Sequence, residues 1–130
     1  MGAPVLTASD IEKVVEQYAS GWSRRDIEAV AALFAPDAVV HDPVDGPGVE
    51  GREKIRAFFA DFGAPVRAMS LVGPVHISGD CRHAAARLNT EAELGDGMTL
   101  VDSLDVFTFD DDGLIATMNA YYGPTNFHTA

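Results

Sequence analysis

Three polar side chains sit where the surrounding residues are apolar, and a buried polar group costs free energy unless it is paired or used. Tyr18 lies inside the stripe Ile11, Val14, Val15, Tyr18, Trp22, whose spacing of about 3.6 residues marks one buried helix face. Its hydroxyl therefore enters the interior. Asp105 interrupts the run Val101 to Phe107 and shares a strand face with Val101, Phe107 and Phe109. Burial disfavours the charged carboxylate, so Asp105 is expected to stay protonated and to donate a hydrogen bond. Asp42 stands at a strand end before Pro43, where a proline-stiffened loop is expected to hold it at the mouth of an apolar cavity, still ionised and able to act as a base. Each residue also has a plainer reading: a core tyrosine bonded to a carbonyl, an aspartate turned to solvent by a bulge, an aspartate starting a turn. Together they match one chemistry. Removing a proton beside a carbonyl leaves charge on its oxygen, which calls for a carboxylate base and preorganised donors aimed at that oxygen. If Asp42 returns the proton to a different carbon, a double bond moves with no metal, cofactor or covalent intermediate, and the sequence carries no motif for any of those.

The elements that would position these groups follow from periodicity. Ser9 and Glu12 form a capping-box pattern that predicts the start of the first helix. Gly21 and Ser23-Arg24-Arg25 break its pattern, and Asp26 is expected to cap a shorter helix with Ile27, Val30, Leu33 and Phe34 on its apolar face, forming a hairpin with the first. Pro36-Asp37 turns the chain into a short strand, Ala38-Val39-Val40, followed by a long rigid loop from His41 to Gly48. A third helix is expected from about Arg52, with Ile55, Phe58, Phe59 and Phe62 buried and Gly63 as its stop. From Val66 the pattern alternates, predicting strands near Arg67–His76, Arg82–Leu94, Met98–Phe109 and Leu114–Tyr122, with hairpin turns at Gly95-Asp96-Gly97 and Asp110 to Gly113. The fold class expected is α+β: three N-terminal helices covering the concave face of a strongly curved antiparallel sheet, a cone with a pocket between its layers. Residues 1–130 read as one domain, with Phe127 to Ala130 free to fray.

Composition narrows the ligands. With 47% hydrophobic residues, a formal net charge of −11 and no basic cluster, the chain is not expected to bind nucleic acid. The lone Cys81 cannot form an intrachain disulfide, and His41, His76, His83 and His128 are too scattered for a zinc site, which fits a reducing cytoplasm. The opening Met1 to Leu6 lacks the features of an export or myristoylation signal, and no stretch approaches membrane-spanning length. Asp110-Asp111-Asp112-Gly113 lacks the further ligands of a calcium loop. Neutral apolar or weakly polar small molecules remain as ligands.

The residues resemble the ketosteroid isomerases, within the nuclear-transport-factor-2-like superfamily of cone-shaped folds. The resemblance covers nearly the whole chain and is strongest from Ala32 to Val44 and from Gly51 to Phe59. It implies that Asp42, in Asp42-Pro43-Val44, is the catalytic base, that Tyr18, eight residues before Asp26, is one oxyanion donor, and that Asp105, before Phe107-Thr108-Phe109, is the second. The implied reaction takes a 3-oxo steroid with an isolated 5,6 double bond to the conjugated 4,5 isomer, Asp42 carrying the proton from C4 to C6. A homodimer across the open sheet face is implied as well. Where some members extend the oxyanion network with further tyrosines, this chain has Phe34 and Phe59, which cannot relay a hydrogen bond. Apolar walls are expected from Trp22, Phe58, Leu88, Met118, Ala120 and Tyr122, each of which alone also reads as ordinary core. Two competing readings keep the cone. One is a polyketide cyclase, dehydratase or epoxide hydrolase using an ionised Asp105, with His83 and Arg87 on one strand face as possible support; the other is a non-enzymatic binding module.

Overall fold

A computed structural model describes residues 5–95 and 97–129. The helices come first: α1 (Ala8–Ser23), α2 (Ile27–Ala31) and, after strands β1 (Phe34–His41) and β2 (Val49–Glu50), α3 (Arg52–Phe62). Strands β3 (Val66–Leu71), β4 (His76–Ile77), β5 (His83–Leu94), β6 (Gly97–Phe109) and β7 (Ile115–Tyr121) follow, and after a 3-10 turn at Pro124–Asn126 the chain closes with β8 (Phe127–Thr129). The expected α+β order holds.

Helix α1 starts two residues earlier than the Ser9–Glu12 pattern predicts. Thr7 is the cap: its Oγ1 accepts from the Asp10 N–H at 3.2 Å, and its own N–H donates to Asp10 Oδ2 at 2.9 Å. Both tetrapeptides carry the same hydroxyl and acid spacing, and the earlier register adds half a turn of helix. Gly21 does not break α1. A Cβ there would stand 2.7 Å from Val30 Cγ2, so the glycine lets α2 approach α1 closely. Asp26 caps α2 as expected, accepting from the Ala29 N–H. The helix ends at Ala31, however, which leaves Leu33 in the connection and gives Phe34 to β1.

Strand β1 is longer than Ala38-Val39-Val40 and contains Pro36; its register on β7 shifts between Phe34 and Val39, the kind of irregularity that accommodates a proline. The sheet path is β2-β1-β7-β6-β5-β3, open at both ends, with β4 on β5 and β8 on β6. Among the described residues all pairings are antiparallel except β1 with β7, which run parallel, a departure from the expected all-antiparallel sheet. The strand predicted over Arg67–His76 is split at Val72 to Val75, where Gly73 takes φ +76°. Phe127–Thr129 pairs with Val101–Thr99 on β6, so this tail is part of the sheet. Asp110 Oδ1 accepts from the Asp112 and Leu114 N–H groups and Gly113 has φ +80°, which closes the expected turn before β7. The expectations that fall on Met1 to Pro4, Asp96 and Ala130 lie outside the described residues.

The core sits between α1, α3 and the inner face of β5 to β7. Ile11, Val15, Tyr18, Phe34, Ile55, Phe59, Leu88, Phe107, Ile115 and Met118 are all buried. Small residues interrupt this packing on the inner face, at Ala84 and Ala86 of β5 and Ala120 of β7. The alternation of β6 then puts Ser103, Asp105, Phe107 and Phe109 on that same buried face.

Candidate active site

The parallel pairing of β1 and β7 decides where Asp42 goes. His41 is in register with Asn119, and the Val44 N–H donates to the Ala120 carbonyl at 2.7 Å, so the loop after β1 is tied alongside Ala120. Asp105 is in register with the same Ala120 from the other side. The two aspartates therefore flank one small residue across two strand spacings, roughly 10 Å of backbone. Helix α1 lays Tyr18 over this place. Its ring packs edge-on to Phe107 at 5.6 Å and to Phe34 at 6.2 Å.

Tyr18, Trp22, Asp42, Asp105, Ala120 and Tyr122 all line one cavity of about 210 Å³. Its lining is overwhelmingly apolar, and the strongly polar groups gather at the Asp42–Asp105 end. The enclosed volume lies below the ~300–1,000 Å³ usual for small-molecule sites. The apolar surface continues outward, because Phe62, Leu94 and Phe127 line the cavity and are also exposed.

Asp105 is 3% exposed, and Ser103 Oγ donates to its Oδ1 at 3.0 Å. Burial, reinforced by the negative charge of Asp42 and opposed by the Ser103 hydroxyl, pushes its carboxyl up to about 8. Asp42 is only half-buried. Burial raises its carboxyl too, while the Tyr122 hydroxyl, donating to Oδ1 at 2.7 Å, holds it down. Tyr18 is pushed well above the ordinary phenol value by burial and then by the charges of Asp105 and Asp42, so it remains a donor. Tyr122 is raised by burial and by the Asp42 charge.

Three of the expected wall residues are elsewhere. Leu88 and Met118 are fully buried core without a face on the cavity, and Phe58 stacks on Phe62 at 4.9 Å outside it. Their side chains follow the helix and strand periods, but the open space lies nearer α3's end, where Gly63, Pro65, Val66 and Met69 supply the wall instead. Gly63 and Pro65 lie in a connection that no helical or strand period marks, and Val66 and Met69 lie on β3, whose alternation does not say which residues meet the cavity, so sequence reasoning missed all four. Tyr122 was foreseen only as a wall; its hydroxyl's partner depends on the parallel pairing. Ser103 was also missed, although alternation sets it two residues before Asp105 on the same strand face. His83 and Arg87 are on the outer face, His83 exposed and Arg87 bidentate to Asp102 at 2.9 Å, away from the cavity.

A model of the SnoaL-like domain matches residues 15–118. The chain belongs to this family. It is also 32% identical over 117 residues to a steroid delta-isomerase of Nocardioides simplex, a match covering 90% of this chain and 93% of the relative. Among solved structures it is similar to SalBIII, described as an epoxide hydrolase/cyclase-like enzyme with a role in pyran ring formation in the polyether salinomycin. That likeness has a TM-score of 0.85 at 24% identity and covers 94% of this chain and 97% of the other. It supports the curved-sheet fold of the family. The isomerase match covers nine-tenths of this chain and relates it to an enzyme.

Proposed function

We propose that this protein is a steroid delta-isomerase acting on 3-oxo steroids without a cofactor. The observation that carries this reading is the convergence of Tyr18, Asp42 and Asp105 on a single apolar cavity, one carboxyl partly buried and the other sealed. The 32% identical relative named for that activity supports it. In the proposed reaction the ionised Asp42 takes the proton from C4 of the bound steroid, and the electron pair moves onto the carbonyl oxygen. Tyr18 and the neutral Asp105 donate hydrogen bonds to that oxygen. Asp42, now a carboxylic acid, gives the proton to C6 as the dienolate collapses, which restores the base and leaves the conjugated enone. The apolar walls bind the ring system by removing its surface from water, roughly 25 cal/mol per Å² before the costs of binding.

The raised Asp105 carboxyl also favours this reading over a hydrolase or cyclase, which would need Asp105 as an ionised base. Pairing of two chains across the outer sheet face belongs to the same reading, supported by exposed Leu104 and Tyr121 there, and sedimentation velocity checks it. The decisive experiment follows ultraviolet absorbance of 5-androstene-3,17-dione with purified protein and with Asp42→Asn. Conversion to the conjugated enone that falls about 10²–10⁴-fold in the variant is expected. A folded protein that converts none would overturn the proposal.

A further inference from the structure

Trp22, one helical turn beyond Tyr18, is 4% exposed, and its indole N–H is buried without a hydrogen-bond partner among the described residues. A buried donor left unpaired is uncommon enough to need an account. The ring is not free to swing away. A Cβ on Gly63 would collide with its six-membered edge, and Phe59 packs against it at 5.1 Å, so both fix the indole from the side of α3. Tyr18 and Trp22 meet edge-on with ring centroids 6.4 Å apart, as residues four apart on a helix do. Burial first, then the charges of Asp105 and Asp42, push the Tyr18 phenol upward, and the Trp22 side chain beside it pulls against them. Among the described residues the indole N–H closes no hydrogen bond to the phenol oxygen.

We propose that Trp22 is a positioning residue of the oxyanion hole: its N–H donates to the Tyr18 hydroxyl when that hydroxyl donates to a bound enolate oxygen. The proposal rests on the reading of Tyr18 as an oxyanion donor. A tyrosine hydroxyl has one proton to give and lone pairs to accept with. As charge builds on the ligand oxygen, Tyr18 gives its proton more fully, becomes a better acceptor, and draws in a neighbouring donor. Phe34 and Phe59, also close to this aromatic cluster, have no such proton. Helix α1 thus supplies from within itself the support that further tyrosines would give.

Trp22 is the chain's single tryptophan, so an ¹⁵N-labelled sample has one indole N–H resonance. The probe is 2-naphthol, a planar phenol whose oxygen stands in for the dienolate oxygen. Saturating 2-naphthol is expected to move the indole proton downfield in the native protein, and to leave it nearly in place in Tyr18→Phe loaded with the same probe. Trp22→Phe is expected to lower kcat roughly two- to tenfold, the worth of one neutral hydrogen bond, with KM little changed. An indole resonance unmoved in the loaded native protein overturns the proposal, and so does a probe that fails to bind, since the hole itself would then be absent. The resonance needs no turnover. A downfield move in a protein that does not isomerise the steroid would keep the Trp22–Tyr18 link and overturn the substrate reading alone, whereas turnover with an unmoved resonance would do the reverse.

Discussion

Replacing Asp105 with Asn removes a titration while keeping the side chain's shape and an acceptor for Ser103. In the unfolded chain this carboxyl ionises near 3.8, and in the folded protein at about 8. Because the folded value is the higher, the native state holds a proton that the unfolded state has released over the interval between them. Stability is therefore lost as pH rises from about 4 to about 8. At about 1.4 kcal/mol per pH unit, and with pH 7 about three units above the unfolded value, the native aspartate costs about 4 kcal/mol at neutrality. Asparagine does not titrate. Urea unfolding of both proteins across this range should show the variant gaining on the native protein by about 4 kcal/mol between pH 4 and pH 7, then levelling above pH 8. Since burial outweighs the Asp42 charge as the cause, most of that slope should survive in an Asp42→Asn background. A free-energy difference that stays constant with pH would mean that Asp105 ionises like an exposed aspartate. That result would remove the neutral acid from the site.

The other expected outcomes test neighbouring groups. Tyr18→Phe keeps the edge-on ring contacts but removes a donor, so kcat should fall on the order of 10²–10³-fold with an unchanged circular dichroism spectrum. Tyr122→Phe deletes the hydrogen bond that stabilises the Asp42 carboxylate; the Asp42 pKa rises, and because the base works only when ionised, the acidic limb of kcat/KM moves to higher pH. Ala120→Leu fills the gap between the two aspartates, so affinity for 2-naphthol measured by titration should drop at least about tenfold, while overpacking costs about 1–3 kcal/mol of stability.

Much of the fold was written in local patterns. The apolar stripe of α1, the Asp26 cap, the Gly63 stop and the alternation of β5 to β7 each report a short-range rule, and each element formed where that rule put it. Boundaries moved where two local solutions competed, as at Thr7 and Ser9, or where a non-local contact decided, as at Gly21 against Val30 and at Phe34, drawn into β1 by its pairing with Ile115. The polar residues on apolar faces were legible because their conflict with the neighbours is a property of the strand or helix itself. What sequence could not reveal was the parallel pairing of β1 with β7, and hence the route by which Asp42 comes to share Ala120 with Asp105.

That shared neighbour has a chemical consequence. Asp42 reaches the cavity from a half-exposed loop with a tyrosine donor, whereas Asp105 is sealed in the sheet with one serine hydroxyl, so when one of the two carries charge it is Asp42. Its charge then adds to the burial that keeps Asp105 neutral, and an ionised base and a protonated acid become one state of the pair. In the proposed reaction Asp42 is neutralised by the proton it captures, and the negative charge appears on the enolate oxygen. There Asp105 meets it with a hydrogen bond, so the acid retains its proton throughout the cycle because each location of the charge favours keeping it.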